Sequence, residues 1–361
     1  MSSTCKVAVV LSGWPRVSEV FAVNELVALH RAGMLGPVFA LKPGDGRAPH
    51  PAIAEVAPYV RLLPPAPPAA LAATVARQLD GTGVAAVHGY FAHDPARVAA
   101  DAADLLGLPF GFSTHALDAR KTPPAELAGR ARRARLVLAC NGDVAGVIAR
   151  AGRVPELVPH GVDLDAFAVS PVREGDPAPV RLLAVGRLVE KKGFDVLVAA
   201  VRSIRRDVRV RIVGTGPLHD RLAEQIRAAG LADRVQLAGR QTHATLPVAY
   251  AAADIVVVPS VTDRDGDRDG LPNVVLEAMA SGRPVVASDL AAIPAAVQDG
   301  TTGLLVPAGD PGALAEALTT LIDDPGLRAS MGWAGRKVVE ADYDLTPCAA
   351  GFCAALERAY A

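Results

Sequence analysis

Aromatic residues are scarce. Phe, Trp and Tyr make up 4% of the 361 residues, although 51% of the chain is hydrophobic. The core must therefore be mostly Ala, Val and Leu. Cysteine is also sparse: Cys5, Cys140, Cys348 and Cys353 show no metal-ligand or redox spacing. They are expected to be reduced, partly buried thiols in a cytosolic protein. No apolar run reaches the ~18 residues needed to span a bilayer, and Met1 to Lys6 lack the shape of a signal peptide. A cytoplasmic location is expected. Net charge is also missing, at -1 from 37 basic and 38 acidic residues. That gives no general field for nucleic acid or an anionic membrane. The cluster Arg130, Arg132, Arg133 and Arg135 reads as a solvated helix face, with peripheral membrane contact as the alternative.

What is present is alternation. "KVAVVLS" is an apolar run ending in a glycine turn. A helical pattern carrying Phe21, Leu26 and Leu29 follows, with Gly33 as its stop. "VAAVHGY" and "RLVLACN" read as buried strands. "VRLLAVG", "VRVRIVG", "RVQLAG", "DIVVVPS" and "RPVVASD" repeat the grammar in the second half. Strands alternating with helices imply parallel sheets with helices on both faces. The length suggests two domains. "FAVSPVREGDPAPV" (167–180), rich in proline and charge, reads as the linker between them.

Four constellations carry chemistry. In "DRDGLPNVVLEAMASG", Pro272 suits the first position of a helix and Gly282 its end. The predicted helix is 272–281. Its free N–H groups near Leu271, Pro272, Asn273 and Val274 form an anion site. Asp269 precedes it and Glu277 lies inside it. These acids can hold the hydroxyls of a ribose and a hexose, or serve as a dipole partner and a solvated helix residue. In "GRLVEKKGF", Arg187 and Lys192 flank a turn after a strand, where doubly wound sheets bind ligands. A fork and a point charge suit a diphosphate. Lys191 is the less favoured of the two lysines. "VGTGPLHD" is an incomplete dinucleotide fingerprint, because His219 stands where its third Gly or Ala belongs. Gly214 and Gly216 there mark a turn that a base or ribose can approach. Near the start, Gly13 follows the first strand and lets backbone approach a phosphate. His115, after "LPFGFST", lies at another strand end.

These segments resemble family 4 glycosyltransferases, the retaining nucleotide-sugar enzymes of the GT-B fold. "DGLPNVVLEAMASGRPVVAS" is similar to the family's E-x7-E segment and "GRLVEKKGFDVLVAA" to its diphosphate motif. "VGTGPLHDRL" and "VPHGVDLDAF" match two further motifs. "WPRVSEVF" and "FSTHALD" resemble the branch that makes exopolysaccharides and antibiotics. The resemblance implies two Rossmann-like domains facing a central cleft: 1–170 on the acceptor side and 171–345 binding the nucleotide sugar. A helix at 346–361 would pack back on the first domain. It also implies residue roles. Arg187 and Lys192 hold the diphosphate, Glu277 the ribose, and Asp269 and His115 the transferred sugar. Gly13 closes over a phosphate, and Arg16, Ser18 and Glu19 are acceptor-side candidates. The first acid of the family motif is usually Glu, and here it is Asp269.

The activity so implied is retaining transfer from a nucleotide sugar, with a UDP-sugar favoured and a GDP-sugar as the alternative. The acceptor is a glycan, a lipid-linked sugar or a small molecule. No cofactor or essential metal is expected, and no nucleic acid partner. Oligomeric state is left open. The competing readings are an epimerase acting on the nucleotide sugar, a nucleotide-sugar-binding pseudoenzyme motivated by Asp269, and a dehydrogenase.

Overall fold

The structure is a computed structural model of the protein. It describes residues 5–16, 19–44, 52–170, 179–242 and 244–361. The chain divides into two compact units, Met1–Gly161 with Leu345–Ala361, and Val162–Asp344.

Seven strands form the first sheet: β1 (Val7–Leu11), β2 (Leu35–Ala40), β3 (Val60–Leu62), β4 (Ala86–Tyr90), β5 (Phe110–Thr114), β6 (Leu136–Ala139) and β7 (Glu156–Leu157). Six form the second: β8 (Val180–Val185), β9 (Val208–Val213), β10 (Val235–Leu237), β11 (Ile255–Val258), β12 (Val285–Ser288) and β13 (Gly303–Val306). Their orders are β3-β2-β1-β4-β5-β6-β7 and β10-β9-β8-β11-β12-β13. The pairings are parallel. Each order reverses beside its first strand, which is the doubly wound arrangement. The central strands β1, β4, β5 and β6 are buried along their whole length, as sheets covered on both faces require.

The helix Val20–Arg31 places Leu26 and Leu29 in the core, and Gly33 ends it in the left-handed region at φ 72°. The last helix, Leu345–Tyr360, belongs to the first unit. It inserts Phe352, Leu356 and Tyr360 beside β1 and β4 residues, and the Tyr360 hydroxyl lies 3.1 Å from His88 Nδ1.

The division between units falls at Gly161/Val162 and not within the proline-rich stretch, of which residues 171–178 lie outside the described residues. The reason is local anchoring. The Val162 N–H donates to the Tyr343 carbonyl at 2.9 Å, and Phe167 packs edge-on against Tyr250 at 5.6 Å. The second boundary falls at Asp344/Leu345. Among the described residues no helix is long and apolar enough to cross a membrane. Of the arginine cluster, Arg130 donates to the Ala92 carbonyl at 2.7 Å, Arg133 pairs with Asp104 and Arg135 donates to the Ala359 carbonyl.

Candidate active site

In the second unit the sequence brings together the loop after β8 and the helix after β11. Lys192 ends a short turn, Glu190–Lys192, and Gly193 follows at φ 62°. A side chain at Gly193 would collide with the Pro259 carbonyl, and the Lys192 stem lies against Gly186. Only glycine lets the cationic loop sit this close. Lys192 Nζ donates to Asp269 Oδ2 at 2.7 Å, and Ser260 Oγ donates to the same oxygen at 2.8 Å. Lys191, the less favoured lysine, reaches Asp267 at 3.0 Å and Asp269 Oδ1 at 3.7 Å.

Asp269 is buried. Burial alone would raise its pKa, but Lys192, Lys191 and the hydrogen bonds from Lys192 and Ser260 outweigh it and hold the carboxyl below the usual range. The second acid behaves in the opposite way. Glu277 Oε2 accepts from the Tyr250 hydroxyl at 2.6 Å. Burial pushes its carboxyl up to about 7, against the opposing effects of that bond and of the Lys192 charge. One lysine therefore acts on both acids, by contact on Asp269 and through space on Glu277.

The helix between the acids runs Asn273–Ala280. Pro272 is its N-cap and not its first turn, because its ψ of 136° is extended. The Val275 N–H donates to the Pro272 carbonyl at 3.0 Å, while the N–H groups of Asn273 and Val274 have no carbonyl further back in the helix to meet, so this end is a partial positive charge. Gly282, at φ 69°, closes the other end. Arg187 is exposed, and its guanidinium has no bonded partner among the described residues. Gly214 and Gly216 serve a purpose the sequence did not reveal. A side chain at Gly214 would strike the Gly186 carbonyl, and one at Gly216 would come within 2.5 Å of the Leu188 carbonyl oxygen. Their smallness seats the Arg187 loop. His219 is exposed and pairs with Asp220.

In the first unit the C-terminal strand ends gather histidines. Ser12 Oγ lies 3.2 Å from His93 Nε2. His115 is 9% exposed, and neither ring nitrogen has a hydrogen-bond partner. Asp118 accepts from the N–H groups of Ala92 (2.6 Å) and His115 (2.9 Å). Burial raises its carboxyl to about 7 against those bonds. Gly13 packs on the Lys42–Pro43 backbone, with 3.1 Å left between the Lys42 carbonyl oxygen and any added Cβ. Arg16 pairs with Glu19 at 2.6 Å. Ser18 lies outside the described residues.

Sequence reasoning missed Ser260, Tyr250, Glu25 and Tyr90. Ser260, Tyr90 and Glu25 lie in segments read as strand or helix, but their patterns gave no partner, and packing recruits each. His160 was visible inside "VPHGVDLDAF" but was given no role.

Residues 179–324 match the model of the family described as Glycosyl transferases group 1. Over that stretch the chain is similar to group 1 glycosyl transferases. The stretch contains all the second-unit candidates above. Over 187 residues the chain is 34% identical to the amylovoran biosynthesis glycosyltransferase AmsK of Erwinia amylovora, covering 51% of this chain and 46% of AmsK. It is 37% identical over 201 residues to a GDP-mannose-dependent alpha-(1-6)-phosphatidylinositol monomannoside mannosyltransferase of Mycobacterium tuberculosis, covering 52% of each. The chain thus spans about half the length of the curated relatives it matches. Among solved structures, Anabaena HepE in complex with UDP aligns with a TM-score of 0.83 at 20% identity, over 98% of this chain and all of that one. The chain therefore has the GT-B fold.

Proposed function

We propose that the protein is a retaining glycosyltransferase that moves a sugar from a nucleoside diphosphate sugar to a hydroxyl group. The observation that carries this reading is the Lys192–Asp269 contact at 2.7 Å beside a helix N-terminus. It joins the cationic loop to the acid-bearing segment at the C-terminal ends of parallel strands, where such sheets bind phosphate ligands.

Arg187 and Lys192 take up the charge that grows on the diphosphate as the glycosidic bond breaks. Glu277, fixed by Tyr250, accepts ribose hydroxyls. Asp269 accepts from the transferred sugar. Its oxygens are held by Lys192, Lys191 and Ser260, which suits an orienting acid and not a free nucleophile. Attack from the face the diphosphate leaves, assisted by that phosphate, then retains configuration. In the first unit, Gly13 serves the phosphate and His115 the sugar. The resemblance puts a UDP-sugar first among donors, and the mannosyltransferase relative adds GDP-mannose as the second. Relatives named for amylovoran biosynthesis and for a phosphatidylinositol monomannoside support a glycan or lipid-linked acceptor.

Calorimetric titration of UDP and GDP into wild type and Lys192→Ala tests the reading. One nucleotide should bind wild type and lose about ten- to a hundredfold in the variant. No binding of either to wild type, or equal binding to both proteins, would overturn it.

A further inference from the structure

The first unit holds a side-chain arrangement that the donor chemistry leaves unexplained. His115 is nine-tenths buried, yet both its ring nitrogens lack partners. Its Nδ1 is 3.9 Å from Asp118 Oδ1, beyond hydrogen-bond reach. A buried polar group left unpaired is costly unless a ligand completes it. The ring is nevertheless held firmly. His160 stacks on it at 5.1 Å and 8°. Phe91, Phe21 and Tyr90 approach at 4.7, 5.0 and 5.2 Å. Phe91 itself sits at φ 104°, a conformation that non-glycine residues adopt only where the surroundings impose it.

His160 is clamped in turn. Its Nδ1 lies 2.9 Å from Glu25 Oε1, Phe21 stacks on its ring at 4.4 Å, and Tyr90 donates to Glu25 Oε2. Tyr90, Glu25, His160 and His115 thus form one continuous chain of contacts. Its members come from β4, the helix Val20–Arg31, and the segments after β7 and β5.

We propose that Glu25 and His160 are positioning residues for His115: the carboxylate fixes the His160 imidazole, and that ring fixes His115 with both nitrogens free for hydroxyl groups of the transferred sugar. The last clause rests on the assignment of His115 to the sugar. Electrostatics act in the same sense. Burial works against charge on His160, but Glu25 outweighs it, with Cys140 adding to the effect, and raises its pKa to about 10. Burial lowers His115 well below its ordinary value, and His160, His93 and His88 lower it further. Asp118 faces His115 at 3.9 Å, while Glu19 acts on Tyr90 and Glu25 acts on Cys353. His115 is therefore neutral beside a charged His160. A neutral imidazole offers one donor and one acceptor, the pair that matches a sugar hydroxyl. An imidazolium would offer donors only.

Histidine side-chain NMR over a pH series tests this without a known acceptor. Signals are assigned by their loss in His115→Asn and His160→Asn. In wild type the His160 signal should stay protonated to above about pH 9, in line with its raised pKa of about 10, and the His115 signal should stay neutral well below the ordinary histidine range. Glu25→Gln should bring His160 towards its ordinary value and raise His115 by about one pH unit. Tyr90→Phe, which keeps the ring, should move both in the same direction by less. A neutral His160 at pH 7, or a His115 titration unmoved in both variants, would overturn the positioning role. Adding UDP-glucose or GDP-mannose should shift the His115 signal. UDP or GDP binding with a silent His115 under both sugars would overturn the sugar contact. No binding of UDP or GDP would instead fail the donor assignment, and the pH series would still judge the clamp.

Discussion

Lys192 bonds to one acid and biases another. Arg187, by contrast, is exposed and unpaired among the described residues, so the two cations should fail differently when removed. Arg187→Ala should leave the melting temperature unchanged and lower turnover about ten- to a hundredfold, through loss of a charge-assisted contact. Lys192→Ala should lower turnover similarly and also melt earlier. It strips the buried Asp269 of its main partner, and breaking a buried pair costs about 3–5 kcal/mol. Lys191 and Ser260 keep the loss near the low end. Thermal denaturation beside initial rates separates the two, and equal melting of both variants would contradict the pairing. Glu277 supplies a pH dependence. Its carboxyl is raised to about 7 by burial, so the folded state holds this proton longer than the unfolded chain does. Any stability from the protonated form is therefore lost as pH rises through about 7. A ribose that needs the ionised acceptor follows the opposite course. Nucleotide affinity should fall as pH drops below about 7, and Glu277→Gln should flatten that slope in calorimetry from pH 5.5 to 8.5, about the range that brackets the group.

At the scale of elements, glycines decide how closely loops meet. Gly214 follows β9 at φ 151°, and its Cα backs onto the Gly186 carbonyl. Gly214→Ala should displace the loop carrying Arg187. Overpacking of this kind costs about 1–3 kcal/mol, and nucleotide binding should weaken with it. A variant that melts and binds like wild type would show that the contact is slack. The strands carry a second lesson. β9 alternates, with Arg209 and Arg211 exposed between buried Val208, Val210 and Ile212. Its inner neighbour β8, and β11 beyond it, keep runs of buried residues. Next to an edge strand the helices cover one face only, and the period of two returns. The helix Asn273–Ala280 was legible as a helix from its Gly282 stop. Its start was misread by one residue, because proline's fixed φ fits both an N-cap and a first turn, and only ψ separates them.

At the scale of the whole molecule, the chain returns to its beginning. Helix Leu345–Tyr360 follows the second unit in sequence but packs in the first, burying Phe352, Leu356 and Tyr360. Each such side chain contributes about 1.5–3 kcal/mol. Truncation after Asp344 should therefore leave the first unit with an open apolar face. Soluble yield and the unfolding transition check this, and a soluble protein with an unchanged transition would contradict it. Transfer should also continue in EDTA, because the proposed mechanism assigns the diphosphate charge to Arg187, Lys192 and a helix terminus. Loss of activity that a divalent ion restores would count against that assignment.

The sequence by itself determined the strand-helix alternation, the parallel sheets it forces, and the local motifs that bring Arg187, Lys192, Asp269 and Glu277 to strand and helix ends. All of these are short-range properties, written in hydrophobic period and in turn chemistry. Tertiary structure alone decided the partners. Ser260 and Lys191 joined Asp269, Tyr250 joined Glu277, and Glu25, Tyr90 and His160 closed around His115. The residues of each group come from separate elements and loops, and the pattern that marks an element does not mark its partners. They meet because buried polar groups must find partners wherever packing supplies them, and no local signal records where that will be.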